Sequence, residues 1–341
     1  MMKFNNKDIN KMYIGDTLVN RVNDGDFQYM PPKHDYASDY LTFDIVSGGT
    51  INWLVVGGDI AVAKTISYST DNGQTWTEIT SSTGGTSFNV SVGDKVLFKG
   101  ENNAYASGTA RYSTFNGSTA TFNVEGNIMS LIYGDDFAGH TTLSEPNCFP
   151  TFFKATNVVD ASRLILSGMN QNCYQGMFNA CYSLTSAPAL PATTLASGCY
   201  SSMFNACTSL TTAPELPATT LAEGCYSQMF RGCTSLTEAP ELPATTLAQY
   251  CYRQMFYNCS GLTKAPVLPA TTLAIQCYGQ MFRTCRNLSY IKCLATTLAD
   301  YCTQGWVTDV SSTGTFVKAS SMNDWTTGTS GIPEGWTIEN E

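Results

Sequence analysis

Apolar residues in this 341-residue chain recur in blocks of fixed length. Cys-Tyr pairs begin at Cys173, Cys199, Cys225, Cys251 and Cys277, four consecutive steps of 26. A second cysteine follows each by eight, at Cys181, Cys207, Cys233, Cys259 and Cys285. The unit reads Cys-Tyr-x-x-Met-Phe-x-x-Cys-x-x-Leu-x-x-Ala-Pro-x-Leu-Pro-Ala-Thr-Thr-Leu-Ala-x-x, and only the second half of the fifth copy departs from it. On a helical wheel Cys225, Tyr226, Met229, Phe230, Cys233 and Leu236 share one arc of roughly 140°, while Ser227, Gln228 and Arg231 point elsewhere. The first half of each unit is therefore expected to be an amphipathic helix. One stripe is too small a core for an isolated unit, so the units must stack to bury it. The second half, Ala239 to Leu247 in the third copy, is extended and punctuated by Pro240 and Pro243. Proline cannot donate to a ladder, so any parallel strand there is short and lies beside the prolines. Which residues form that strand is left open.

Degenerate units flank the five. Cys148 precedes Cys173 by 25, with Phe152 and Phe153 at the Met-Phe positions, Val159 where the leucine falls and Thr156 in place of the second cysteine. Cys302 follows Cys277 by 25, with Trp306 and Val307 at the Met-Phe positions. The array spans roughly 148–310, with atypical units at its ends as a stack requires.

Elsewhere the pattern changes to short alternating runs. Residues 9–22 read as a hairpin turning at Gly15-Asp16, and Pro31-Pro32 marks a linker. Between 38 and 128, runs at 40–46, 66–69, 75–79, 87–90 and 95–99 alternate with Gly/Asn/Asp turns and predict a small β-sandwich. Residues 123–136 bridge to the array. The tail after Cys302 places Trp306, Phe316, Trp325 and Trp336 among Gly, Ser and Thr. It reads as a β-type cap whose aromatics pack on the last coil, with stacking on sugars as the rival.

Composition narrows the function. Only 13% of residues are charged and the formal net charge is −9, which argues against nucleic acid as a partner, since that needs clustered Lys and Arg. No run of about 18 apolar residues exists, so no membrane insertion is expected. The amino terminus carries no apolar stretch of signal-peptide length, so the chain is expected to begin near Met1 and to be made in a reducing cytoplasm. The thirteen cysteines then read as buried thiols rather than disulfides. Zinc wants close pairs such as Cys-x-x-Cys, which the eight-residue spacing does not offer. No cofactor is expected.

Two local motifs bear on catalysis. Ser69-Thr70-Asp71-Asn72-Gly73-Gln74-Thr75-Trp76 fits the Asp box of sialidase-type propellers, in which Asp and Gly shape a turn over Trp; an ordinary Asp-Asn-Gly turn fits equally. Asp135, Asp136 and His140 form a carboxylate–histidine cluster with no nucleophile elbow or paired acid beside it, and read as a solvated loop. A glycan-cleaving enzyme would need paired carboxylates at a cleft. The chain is expected not to be an enzyme.

The segment Met229-Phe230-Arg231-Gly232-Cys233-Thr234-Ser235-Leu236 carries an aromatic, a cysteine and a leucine at Phe230, Cys233 and Leu236. It resembles the BspA-like leucine-rich repeats of bacterial surface proteins, and the resemblance covers about half the chain. The unit length and the Pro-Ala-Thr-Thr-Leu element depart from the common family pattern. Proteins with this variant are similar to those of gut anaerobes and of the tailed phages infecting them, crAss-like phages included. The family's repeats are associated with adhesion and recognition. Lys11-Met12-Tyr13-Ile14-Gly15 likewise resembles a Lys-x-Tyr-x-Gly leader of phage structural proteins, although an ordinary hairpin fits too.

The expected fold class is accordingly α+β and multidomain. Residues 1–32 form an N-terminal docking hairpin and linker, 33–130 a β-sandwich-like domain, 131–310 a leucine-rich-repeat-like solenoid of 26-residue units and 311–341 a β-type C-terminal cap. Two columns of varying residues are the candidate binding surface: Ser186, Thr212, Glu238, Lys264 and Tyr290, and, on the expected helix side, Asn179, Asn205, Arg231, Tyr257 and Arg283. The function expected is structural and recognitional, at the surface of a phage virion as a head or tail fibre or decoration. Another virion protein would hold residues 1–32, and a host surface protein or glycan would meet the solenoid. The alternative is a bacterial cell-surface adhesin of the same repeat class. Class resemblance also implies a homo-oligomer, commonly a trimer, although no heptad region is present.

Overall fold

The computed structural model describes residues 34–57, 63–108 and 110–341, together with the backbone of three short strands before them. The chain divides into two units, Met1–Tyr36 and Ala37–Glu341. In the first, β1 (Lys11–Ile14) pairs antiparallel with β2 (Thr17–Arg21), which pairs with β3 (Phe27–Gln28). Ile14 stands opposite Thr17. The expected turn at Gly15-Asp16, Pro31-Pro32 and most of the expected docking segment lie outside the described residues.

The second unit opens with two sheets. Strands β4 (Leu41–Ser47), β6 (Thr65–Ser69), β7 (Thr77–Thr80), β9 (Lys95–Lys99), β11 (Thr121–Asn127) and β12 (Arg163–Ile165) form a six-stranded sheet in the order β12-β11-β4-β9-β6-β7. Strands β5 (Gly49–Val56), β8 (Thr86–Val90) and β10 (Tyr112–Thr114) form a three-stranded one in the order β10-β5-β8. Along β5, Ile51, Trp53 and Val55 are buried and their neighbours less so, the period-2 signature of a strand with one face on a core. Rings from both sheets and the loops between them meet there. Phe43 lies 4.3 Å from Phe122, 4.5 Å from Phe98 and 4.8 Å from Phe115, and Trp53 lies 4.7 Å from Phe115.

This core runs without a break into the repeats. Strand β11 pairs antiparallel with β4 on one side and parallel with β12 on the other, so the sheet ends on the leading coil of the array. Phe43 and Phe115 reach Phe153 of that coil at 5.9 and 6.2 Å. Beyond it, Tyr174, Tyr200, Tyr226, Tyr252 and Tyr278 stack at 5.9–6.1 Å between centroids. Phe178, Phe204, Phe230, Phe256 and Phe282 stack at 5.7–5.8 Å. Successive units therefore lie one above the next in register, with Cys, Tyr, Met, Phe, Cys and Leu all buried.

The expected helix is not what builds this stripe. Among the described residues α-helix is confined to α1 (Ser130–Tyr133); the Cys-to-Cys half of each unit is a run of tight turns. Every fourth residue there is left-handed: Gly224, Gln228 and Gly232 have φ of 59°, 58° and 76°. An α-helix admits no such residues. The amide hydrogens alternate instead. Ser227, Met229 and Arg231 donate three residues back, to Gly224, Tyr226 and Gln228. Tyr226, Gln228 and Phe230 donate to the next coil, to Cys251, Arg253 and Met255 at 2.8–3.0 Å. A helix would satisfy these groups within one unit; the turn ribbon spends half of them joining neighbours. Residues i, i+1, i+4, i+5 and i+8 face inward under a period of 3.6 or of 4, which is why the wheel placed the core correctly and the backbone wrongly.

Beyond the turns each coil makes short parallel pairings. Asp160 bridges Ser186, Thr212 bridges Glu238 and Lys264 bridges Tyr290; a second line joins Thr194 to Thr220 and Thr272 to Thr297. The pairings remain single bridges where Pro188, Pro214 and Pro240 follow. In the fifth unit Lys292 replaces that proline, and the strand lengthens to β13 (Tyr290–Cys293). It pairs parallel with β14 (Thr315–Lys318), and β14 with β15 (Thr337–Asn340). The tail is thus a β-type cap that continues the same ladder. Trp306 and Phe316 are fully buried, and Trp325 stacks on Trp306 at 5.6 Å, so these rings pack together on the last coil. The fold as a whole is mostly strand and turn, in several open sheets.

Candidate recognition surface

The two expected columns occupy different parts of the coil. Ser186, Thr212, Glu238, Lys264 and Tyr290 are the bridge residues themselves, so this column is the strand position that the sequence left open. Thr212, Glu238 and Lys264 are exposed, Ser186 and Tyr290 half-buried. Lys264 Nζ lies 5.0 Å over the Tyr290 ring.

Asn179, Asn205, Arg231, Tyr257 and Arg283 lie on the turn ribbon, each half-buried. The Arg231 guanidinium carbon is 4.7 Å and that of Arg283 6.0 Å from the Tyr257 ring, so one ring is held between two cations from the coils below and above. The same ribbon exposes the left-handed positions, where Gln254 Nε2 donates to Gln280 Oε1 at 2.7 Å.

Four residues earlier along the ribbon lies a groove of about 460 Å³ that the sequence reading did not single out. Gln175, Ser201, Ser227 and Arg253 form one column of it, and Gly198, Gly224, Tyr250 and Gln276 the next. The signal was present: these are unspecified positions of the 26-residue unit, on both sides of the first cysteine. Gly224 has φ of 59° and nothing within 4 Å of where its Cβ would stand, so it leaves the space that Tyr250 and Gln276 fill in later coils, whereas at Gly198 the Asn172 side chain takes that place. The proline column makes further shallow grooves, one of about 340 Å³ between Pro188, Pro191, Pro214 and Pro217.

The two motifs with catalytic overtones are held by local hydrogen bonds and ring contacts. Asp71 accepts from Ser69 Oγ at 2.7 Å, Thr75 N at 2.9 Å and Thr75 Oγ1 at 2.6 Å. These bonds, those from Thr75 foremost, hold its carboxyl down at about 2. It ties the β6–β7 loop, where Asn72 and Gly73 are left-handed and Gly73 lies over Trp76. Asp135 accepts from Lys99 Nζ at 2.8 Å and Tyr40 Oη at 2.7 Å; the lysine bond chiefly lowers its pKa, while burial raises that of Tyr40 to about 12. His140 stacks on Tyr133 at 3.8 Å, so the histidine is not brought into an acid–base pair with Asp135. All thirteen cysteines are free and buried, and no group of three or more metal-binding side chains is found among the described residues. No helix among the described residues is long and apolar enough to cross a membrane. Comparison with known proteins finds no matching family model, no similar curated protein and no similar solved structure.

Proposed function

We propose that this chain is a non-enzymatic recognition protein of a phage virion surface, a head or tail fibre or decoration, and that its stacked units are a variant leucine-rich-repeat-like solenoid. One observation carries the reading: inward positions repeat unchanged while two outward columns on the same coils differ. Cys, Tyr, Met, Phe, Cys and Leu recur in all five units, whereas one outward column runs Asn179, Asn205, Arg231, Tyr257 and Arg283. A constant core beneath a varied wall is how a repeat scaffold presents an extended contact surface. The resemblance of the unit to BspA-like repeats, and of Lys11–Gly15 to a phage leader, supplies the setting. In this reading residues 1–32 dock to the particle, and the wall meets a host surface protein or glycan.

Mass spectrometry of purified virions, with host-cell binding by the isolated chain, is the test. Peptides of this chain in the particle and saturable binding to host cells are expected. A chain found anchored to bacterial cells without phage would replace the reading with that of a cell-surface adhesin.

A further inference from the structure

We infer that the groove between Gln175 and Gln276 is a binding site for a carboxylate-bearing saccharide, an inference that deepens the recognition reading and rests on it. Three features of the groove point to this ligand. The first is its charge. The chain is acidic overall, yet Arg253 stands in the groove with no ion pair among the described residues, and Glu223 lines the same groove equally unpaired. A guanidinium fork matches a planar carboxylate, and an unpaired carboxylate accepts hydroxyl donors. A sugar acid offers both, and the two charges fix which way round it lies.

The second feature is the neutral lining. Ser201 presents a hydroxyl and Gln175 an amide, Ser227 donates its hydroxyl to the Arg253 carbonyl at 3.3 Å and keeps its lone pairs, and the Gln175 Oε1 is buried without a hydrogen-bond partner. A buried acceptor left unpaired is costly, and a ligand hydroxyl would satisfy it. The third is the end wall. Tyr250 occupies the column that is glycine at 198 and 224, and its half-exposed ring closes the space above them. A flat ring beside polar side chains suits the apolar face of a pyranose, whereas a peptide would call for apolar pockets that this lining does not offer.

The groove can be blocked without breaking the fold. Gln276 occupies the same column with φ of 48°, so Gly224→Gln places there a side chain that the ribbon already accommodates. The test is the full chain applied to an array of uronate-bearing, sialate-bearing and neutral glycans, beside R253Q and G224Q. Retention on carboxylate-bearing glycans is expected, weakened at least about tenfold by R253Q, which removes the charge-assisted bond, and likewise by G224Q, which fills the groove. It should also weaken with added salt. Retention on no glycan, or retention that ignores Arg253, would overturn the assignment. If both variants still bind host cells as the native chain does, the groove fails while the recognition reading stands. If virions lack the chain but the array result holds, the reverse is true.

Discussion

The Sγ of Cys233 donates a hydrogen bond to the carbonyl oxygen of Phe204, 3.1 Å away in the preceding coil. The same carbonyl also accepts the amide of Cys207 in its own coil, at 3.1 Å. The contact recurs from Cys207 to Phe178, Cys259 to Phe230 and Cys285 to Phe256, at 2.9–3.1 Å. In the leading coil Thr156 replaces the cysteine and its hydroxyl donates within that coil, to Phe153 at 2.7 Å, while Cys181 of the next coil donates to the same carbonyl at 2.9 Å. The second cysteine of each unit is therefore both a small apolar filler and a donor between coils.

Replacing Cys233 with Ala should accordingly destabilise the chain by about 1–2 kcal/mol, combining a lost weak bond with a small cavity. Equilibrium unfolding in denaturant measures this. An unchanged midpoint would mean that the sulfur contributes nothing to the stacking.

Burial also governs thiol ionisation. It pushes Cys181 and Cys225 up to about 11 and Cys233 and Cys285 to about 12. The unfolded chain releases these protons near pH 8.5, while the folded chain retains them until its own higher values are reached. Stability should therefore be level up to about pH 8, then fall as pH rises through the window between 8.5 and about 12. Denaturant midpoints across this range provide the check. In the native state at pH 8 the thiols should resist iodoacetamide, and all thirteen should react once the chain is unfolded.

Phe230 sits between Phe204 and Phe256 at 5.7 and 5.8 Å and is fully buried. Phe230→Ala should cost about 3–5 kcal/mol. Tyr257→Ala, on the half-exposed face of the same stack, should cost well under that. Equal thermal shifts for the two variants would contradict the assignment of inward and outward faces.

The turn ribbon makes a spectroscopic claim. Far-ultraviolet circular dichroism should lack the double minimum of a helical repeat. Gly232→Ala should lower stability by about 1 kcal/mol, because its φ is 76° and the methyl meets only ordinary contacts. Gly232→Asn should cost less, since Asn258 holds the same column at φ of 59°. A strong helical spectrum, or a gain in stability with alanine, would restore the helix.

Legibility differed from element to element. The runs around Phe43, Ile66 and Phe98 predict strands and are strands, whereas β5, where Ile51, Trp53 and Val55 alternate as cleanly, is absent from the expected set. The varied columns were visible as varied. Their roles were not, because a bridge position such as Glu238 and a ribbon position such as Arg231 look alike until the partner coil is in place. The groove around Arg253 was invisible for a related reason: its walls come from four successive units, and its space is the absence of a side chain at Gly224.

The 26-residue period, read from sequence alone, established that units stack and which six side chains of each are hidden. Repetition of an apolar set too small to fold by itself leaves no other way to bury it. The backbone that carries those side chains was decided only in three dimensions. Inward spacing is the same for a helix and for a ribbon of four-residue turns, and the choice turns on whether amide hydrogens close within a coil or reach the next. That is settled by neighbours that no single unit contains.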